Sequence, residues 1–513
     1  MRLSQTSAVP GSALLLALTL SCGCGSRAGP TPPSVLRAAV RADVTGFFPN
    51  PPASNESYTF EMNRWVVGAL VGLDRGLNVV PALAEHWLTP DDCTFVLELR
   101  PGLRFSDGRP ATARDAAESL LAGIRLRWPN LGYLSTIESV RVIGERRIEV
   151  RAVRPDPTLL ARLAWGFVLP ADELAKSPVP VVGAAPYTLE RWTPGAGFSF
   201  ARNPNYWGEP AAYERAEFRV VPDDAARIAL VEKGEADLAD FVPPEDWDRL
   251  QQNPGLRVVV GAGHRVLFLG LRVDRPPFSD PRVREALDLA IDRRAIVEKV
   301  LSGKGSAANQ LLPRGAVGHV PTLPPSRHDP ERAKALLRAA GFSPGHKLRL
   351  DGPSNRYVRD VEIMREVARQ LEDVGLQVEV NALEKRAFYA LLAAGRSAFY
   401  LLGWASESGD GADTFEVLFP PPDSPGASTF NASGFYDARL DEITREAQST
   451  TNLQARAAVL QRAFTRLSEL RPILPLVVQP EAVVYNAQRV RWDPPVSLAL
   501  RPGDLRPADA ARP

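Results

Sequence analysis

The stretch that decides the fold covers residues 81–108 and reads PALAEHWLTPDDCTFVLELRPGLRFSDG. Within it, Thr94–Leu99 alternates between apolar and polar residues, which is typical of a half-buried strand. Pro101-Gly102 and Ser106-Asp107-Gly108 then turn the chain, because proline, glycine and aspartate favour the backbone angles of tight turns. A helix is predicted over Thr112–Leu121, with Thr112 as its N-cap. A strand, a turn and a helix in close succession indicate a mixed α/β domain.

The same order of elements recurs further along the chain. A predicted helix covers Val358–Val374, Gly375 ends it, and the strand Gln377–Val380 follows directly. Asp280-Pro281 and Asp329-Pro330 mark two more helix starts. The aspartate side chain caps free backbone N–H groups, and proline has no N–H at the first helical position, where that donor would have no partner within the helix. These patterns predict an α/β fold with many short connections.

Composition excludes several classes of protein. The chain has 513 residues, 45% hydrophobic and 24% charged, which is ordinary for a globular protein and disfavours disorder or many membrane spans. Its 61 basic and 60 acidic residues give a net charge of +1. Nucleic acid is therefore not an expected partner, because a nucleic-acid groove needs a basic excess or cluster.

The N-terminus has the features of an export signal. Arg2 provides a positive start, Ala13–Leu20 is an apolar core too short to span a bilayer, and small residues follow. The next residues resemble a bacterial lipoprotein processing site, with Cys22 or Cys24 as the lipidated residue. We therefore expect residues 1–24 to be a signal peptide, residues 25–34 a tether, and the protein to be exported and membrane-anchored. A plain secretory signal is the alternative.

A series of segments resembles, in order, the extracytoplasmic solute-binding proteins of peptide- and nickel-type ABC transporters, solute-binding protein family 5. The matching segments are Pro81–Trp87, Phe95–Gly108, Ala113–Ser119, Gly183–Tyr187, Arg202–Gly208, Arg282–Arg293 and His328–Leu337. Together they extend over most of the chain that follows the tether.

This resemblance implies a two-lobed α/β protein with the periplasmic-binding-protein type II fold, which closes over its ligand by a hinge. Lobe I is expected to comprise residues 35–262 and 482–513, with a subdomain inserted at about 48–182. Lobe II is expected at 263–481. Independently of the resemblance, Gly261–His264 separates two predicted strands, and we expect the chain to cross between lobes there.

The resemblance also implies the function: capture of a small, peptide-like solute and its delivery to the permease of an ABC importer. The expected partners are that ligand, the permease and, through the lipid anchor, the membrane; the protein is expected to be a monomer. A non-peptide ligand such as a metal chelate is the alternative, since the five histidines are isolated in sequence but not necessarily in space.

The segment 403–415 resembles the ligand loop of the dipeptide-binding branch, where a tryptophan is followed three residues later by an aspartate that receives the peptide's ammonium group. Here these positions are Trp404 and Glu407, and Asp410 lies in the same loop. Arg356 is the candidate cation for a ligand carboxylate. The alternative interpretation of the loop is a helix start, with Asp413 and Glu416 spaced as N-cap and N3 of a capping box.

Enzyme chemistry finds little support in the sequence. Nucleophile elbows, phosphate-binding loops and zinc motifs are missing, so neither a catalytic residue, a cofactor nor a metal site is predicted. A hydrolase that uses Glu407 and Asp410 as paired carboxylates stays open as a second class of function.

Overall fold

The computed structural model describes residues 34–50, 57–128, 130–261, 263, 265–406, 408–421, 431–495 and 498–509. The strands are β1 (Val35–Val40), β2 (Val71–Leu73), β3 (Val79–Pro81), β4 (Ala84–Asp91), β5 (Thr94–Leu99), β6 (Ile137–Val142), β7 (Arg147–Ala152), β8 (Tyr187–Thr193), β9 (Gly197–Arg202), β10 (Arg215–Val220), β11 (Leu238–Ala239), β12 (Leu256–Val260), β13 (Arg265–Leu271), β14 (Ser306–Ala307), β15 (His346–Pro353), β16 (Leu376–Leu383), β17 (Phe399–Trp404), β18 (Ile473–Gln479), β19 (Ala482–Asn486), β20 (Val490–Trp492) and β21 (Leu505–Pro507).

The helices are α1 (Ser57–Asn63), α2 (Ala113–Arg125), α3 (Leu131–Leu134), α4 (Leu159–Arg162), α5 (Asp224–Glu232), α6 (Trp247–Gln251), α7 (Pro281–Ala290), α8 (Arg293–Val300), α9 (Pro330–Ala339), α10 (Asp360–Glu372), α11 (Lys385–Ala393), α12 (Ala412–Leu418), α13 (Ala438–Ser449) and α14 (Leu453–Leu470). Short 3₁₀ turns lie at Leu163–Trp165, Pro244–Asp246 and Pro502–Asp504. Within these described segments, no helix is long and apolar enough to cross a membrane.

Two large sheets organise the chain. Lobe I is built on a seven-stranded sheet of order β12-β19-β11-β1-β10-β9-β8, and lobe II on a six-stranded sheet of order β14-β18-β13-β17-β15-β16. A four-stranded antiparallel sheet, β4-β5-β7-β6, falls between β1 and β8 in sequence. We call the part of the molecule built from this sheet and α2 to α4 the subdomain.

The central strand of lobe II shows why this sheet is covered on both faces. Every residue of β13 is buried, and successive side chains of a strand point to opposite faces. Leu267 and Leu269 pack into the core beneath α7 and α10, whereas Val266 and Phe268 pack into a separate core beneath α12 and α14. The unbroken apolar run in the sequence therefore reflects a strand buried on both faces.

The chain crosses between the two sheets twice. It leaves lobe I after β12 and enters lobe II at β13, then returns from β18 to β19. The two crossings lie side by side, because Gly261 N donates a hydrogen bond of 2.9 Å to Glu481 O. The antiparallel pairs β12–β19 and β13–β18 continue this contact into each sheet.

The carboxyl ends of the parallel strands of both sheets meet at the cleft between the lobes. In lobe I, β10 and β11 are parallel to β1; in lobe II, β16 and β17 are parallel to β15. The crossings join these two edges, so the loops that follow the strands face one another. This edge is where open α/β sheets bind ligands.

Candidate functional site

A small cavity lies between the lobes, at this shared edge. Its volume is about 50 Å³, and by this measure about 10 to 15 Å³ is enough for one water molecule. The cavity is lined by Tyr58, Glu61, Met62, Asp240, Phe241, Arg265, Arg356, Glu481, Ala482, Val483, Leu498 and Leu500. Side chains of both charges are thus present around one cavity.

The lobe I wall includes Asp240, the residue after β11. Its Oδ1 accepts a 2.8 Å hydrogen bond from the backbone N–H of Arg41, and the Arg227 Nε lies 3.6 Å from the same oxygen. Burial raises the pKa of Asp240 to about 6, while the charges of Arg227 and Arg41 oppose that shift. The carboxylate is therefore held in place by the protein while it borders the cavity.

The lobe II wall includes Arg356, in the loop between β15 and α10. The carboxylate of Asp360 shapes this loop, because its Oδ2 accepts hydrogen bonds from the backbone N–H groups of Arg356 at 2.8 Å and Tyr357 at 3.0 Å. The Arg356 guanidinium is buried and lies 5.2 Å from the centre of the Tyr357 ring. A cation predicted only from its loop position is thus found in the cavity wall.

Contacts across the cleft bring the two lobes together around this cavity. Arg41, just after β1, donates from Nη1 to Tyr357 O at 2.5 Å and lies 3.4 Å from Asp360 Oδ1. Lys385 Nζ donates to Asp43 O at 2.7 Å, and Arg386 Nη2 donates to the carbonyl of Thr45 at 2.8 Å. The lobes are therefore in a closed arrangement.

Trp404 is the last residue of β17, at the same edge of lobe II. It pairs with Val266, the neighbour of Arg265, and its indole Nε1 donates a 2.9 Å hydrogen bond to Thr414 Oγ1. The side chain is half-buried and is not among the residues that line the cavity. Its ligand contact remains a prediction.

The comparison with known proteins now decides the family. A sequence model described as bacterial extracellular solute-binding proteins, family 5 Middle, matches residues 78–425. The chain belongs to this family. It is 26% identical to di/tripeptide-binding protein 2 of Pseudomonas aeruginosa (strain UCBPP-PA14), over 94% of this chain and 96% of that protein.

Solved structures agree on the two-lobed fold. The DppA periplasmic binding protein of Helicobacter pylori, in complex with the peptide STSA, superposes with a TM-score of 0.85 at 20% identity, covering 93% of this chain and 98% of that one. NikA of Staphylococcus aureus, in complex with Ni(L-His)2, gives 0.81 at 17% identity, covering 92% and 99%. The predicted fold class and family are confirmed.

In this family 5 protein, the Asp410 carboxylate forms its ion pair and hydrogen bonds within lobe II. Its Oδ2 lies 2.7 Å from Arg456 Nη2 and accepts 2.9 Å from Arg456 Nε, and its Oδ1 accepts from the backbone N–H of Ala412 at 3.0 Å. Both side chains of the ion pair are buried, and Asp410 is not among the residues of the cavity wall. The contacts made by Asp410 organise the loop itself.

The capping box predicted for Asp413 and Glu416 is wrong. Helix α12 has Gly411 as its N-cap, so Asp413 already lies in the first turn. The Asp413 carboxylate instead accepts hydrogen bonds from Ser408 Oγ at 2.5 Å and Ser408 N at 3.2 Å, and burial raises its pKa to about 6. Glu416 lies further along the helix and contacts Arg162 of the subdomain.

Several predicted site residues lie outside the described residues: Glu407, Cys22 and Cys24. In the part of the chain that the structure covers, no three His, Cys, Asp or Glu side chains are grouped closely enough to hold a metal ion.

Sequence reasoning missed the charged residues that flank the lobe crossings. Arg265 begins β13 and Glu481 precedes β19, and the two side chains form a 3.1 Å ion pair beside the cavity. The signal was available, because the predicted crossings ended near these positions and ligands of α/β proteins bind at such edges. Glu61 on α1 gave no comparable signal.

Proposed function

We propose that this protein captures a short peptide between its lobes and presents it to the permease of an ABC importer. The observation that carries the proposal is the cavity between the lobes, to which lobe I contributes the carboxylates of Glu61 and Asp240 and lobe II the cations of Arg265 and Arg356. A free peptide is a zwitterion, so one end requires a cation and the other an anion. Peptide-binding relatives in the same family support this ligand class.

Arg356 is the proposed partner of the peptide carboxylate, and Glu407 that of the ammonium group. Arg356 lies in the cavity wall of lobe II, and Glu61, Asp240 and Glu481 add negative charge around the same space. Residues of both lobes line the cavity and contacts join the lobes around it, so ligand entry requires the lobes to separate at the crossings. Closure would then be stabilised by contacts from both lobes.

Native mass spectrometry of gently purified protein, followed by calorimetry, tests this function. The titrants are a panel of dipeptides, longer peptides and a nickel–histidine chelate. We expect peptides to co-purify and at least one peptide to bind without being cleaved. Binding of the chelate alone, with no peptide bound or co-purified, would establish the alternative ligand class; turnover of a chromogenic ester panel would point to a hydrolase.

Replacing Arg356 by glutamine is expected to raise the dissociation constant of a dipeptide roughly tenfold to a hundredfold, the loss of one charged hydrogen bond. The same dipeptide with an amidated C-terminus should bind weakly to both proteins and show no further loss in the variant. Arg365→Gln, an exposed position on α10, is the matched control. Equal losses for both peptide forms would show that Arg356 does not receive the carboxylate.

Glu407→Ala provides the corresponding test at the other end of the peptide. We expect roughly a tenfold or greater loss of affinity for a dipeptide with a free ammonium group, and no comparable loss for its N-acetylated form. Calorimetry checks both. Unchanged affinity for the free dipeptide would remove Glu407 from the site.

We also propose that the exported protein is held at the membrane by a lipid on Cys22 or Cys24. The support is the processing-site resemblance of these residues. Cells expressing the full chain and fed an alkyne-tagged fatty acid should yield labelled protein. One of the single variants Cys22→Ala and Cys24→Ala should lose the label; label retained in the double variant would contradict the anchor.

A further inference from the structure

The subdomain and lobe II meet through a buried arginine. Arg162, the last residue of α4, has 1% of its side chain exposed. One side of its guanidinium contacts Asp156 and donates to Thr136 Oγ1 at 2.9 Å, both within the subdomain. The other side contacts Glu416 on α12 of lobe II, whose side chain is 7% exposed.

A second hydrogen-bonded path runs beside the first. Glu416 Oε1 accepts a 3.0 Å hydrogen bond from Gln448 Nε2 on α13, and Gln448 Oε1 accepts from Arg154 Nη2 of the subdomain at 2.5 Å. Glu416 therefore contacts both Arg162 of the subdomain and Gln448 of lobe II only while the lobes are closed. If the lobes separate, Arg162 keeps Asp156 and Thr136, whereas Glu416 loses Arg162.

The charges of this cluster do not cancel. The negative charge of Asp156 balances the positive charge of Arg162. Glu416 and its neighbour Asp413 add two negative charges, and Arg154 adds only one positive charge. Asp410 and Arg456 form a separate balanced pair. In the buried closed state one negative charge is left over, which a proton would neutralise.

We propose that Arg162 and Glu416 form a proton-sensitive latch, through which the subdomain holds lobe II closed and which acidification strengthens. The proposal rests on the proposed function only in that closure is the step that retains a solute. None of these residues lines the cavity between the lobes. The latch therefore acts on the lifetime of the closed form without touching the ligand.

The direction of the pH effect follows from burial. Burial raises the pKa of Glu416 from 4.5 to about 7, with Asp156 and Asp413 adding to the shift and Arg162 and Arg154 opposing it. A separated, solvated Glu416 would return towards its ordinary value. The closed form thus binds a proton that the open form releases, and closure weakens as pH rises from about 4.5 to about 7. Burial also raises the pKa of Asp413 and of Asp240, to about 6 in each case, below that of Glu416.

Single-molecule fluorescence transfer on the ligand-free protein tests the latch. Dyes are attached at Val142→Cys in the subdomain and Glu442→Cys on α13, both exposed positions, in the full chain with its three native cysteines changed to serine. Between pH 7.5 and pH 6.0 we expect the ratio of closed to open molecules to rise roughly fivefold to tenfold.

Two variants separate the latch from a local structural role. Glu416→Ala removes both contacts and should lower the closed fraction at pH 6.0, where a protonated Glu416 makes them without the cost of burying a charge. At pH 7.5 it should change the closed fraction much less, because the variant also removes the cost of burying an ionised carboxylate. Glu416→Gln keeps a neutral hydrogen-bonding side chain and should remove the larger part of the difference between pH 7.5 and 6.0, leaving at most the smaller part that Asp413 and Asp240 contribute. Glu446→Gln, in an exposed ion pair with Arg462 inside lobe II, should behave as the wild type.

The proposal is overturned if Glu416→Ala leaves the closed fraction at pH 6.0 unchanged, if Glu416→Gln keeps the full pH response, or if closed molecules are undetectable at both pH values. Because no ligand is added, a failure of the peptide proposal leaves this measurement intact, and the two failures are distinguishable.

Discussion

Replacing Asp410 by alanine is expected to lower the free energy of unfolding by about 3 to 5 kcal/mol, because it leaves the buried guanidinium of Arg456 without its carboxylate. The variant also removes the acceptor of the Ala412 backbone N–H, so the loop before α12 loses this hydrogen bond. Urea unfolding followed by circular dichroism measures the change.

Glu442→Ala is the matched control for Asp410, because Glu442 forms an exposed ion pair with Arg439 and should change stability by less than about 1 kcal/mol. One outcome would support the ligand-binding role that the sequence predicts for Asp410. If Asp410→Ala keeps wild-type stability but loses peptide affinity, Asp410 is a ligand residue and its pair with Arg456 is secondary.

Gly183→Ala is expected to destabilise the protein by about 3 kcal/mol or more, or to prevent its accumulation as soluble protein. A Cβ at this position would lie 2.0 Å from Val66 O and 2.6 Å from Val67 Cα, both backbone atoms that cannot rotate away. The carbonyl of Gly183 also accepts a 2.8 Å hydrogen bond from Ser106 N. A thermal melt of the purified variant measures the loss.

Gly503→Ala is the comparison for Gly183, since a Cβ there would meet nothing within 4 Å and the position is exposed. Its melting temperature should match that of the wild type. If Gly183→Ala has the same melting temperature as Gly503→Ala, the backbone around Val66 relaxes far more readily than close packing implies.

Local chemistry predicted the helix starts well. Asp280 and Asp329 cap α7 and α9, and Thr112 with Asp115 forms a capping box on α2. These signals succeed because a cap involves side chains and backbone within three residues of one another. The far end of a helix depends on packing, which explains why α2 runs to Arg125 rather than the predicted Leu121.

Residues 438–470 form two helices rather than one continuous helix. The break lies at Thr450–Asn452, where the Asn452 side chain accepts from Ala455 N and begins α14. Both helices have an apolar face, and α13 and α14 pack against each other through these faces. The helical spacing of apolar residues therefore continues across the break, and the asparagine N-cap is the local signal that marks it.

The candidate site was less predictable, for a physical reason. Loop residues such as Arg356 are identified by their chemistry, but whether they face a cavity depends on which strand ends share an edge. Asp410 and Arg356 look alike in sequence, a charge in a polar loop; in the structure one pairs with Arg456 and the other borders the cavity. Only the three-dimensional arrangement distinguishes them.

The paired crossings between the lobes constrain how the protein opens. Two neighbouring strand connections, tied by the hydrogen bond from Gly261 N to Glu481 O, resist both sliding and twisting of one lobe against the other. The remaining easy motion is a bend about an axis across both connections. Each cycle of opening and closing therefore returns Arg356 and Asp240 to the same mutual position, which makes the recognition of a solute reproducible although the two walls belong to separate bodies.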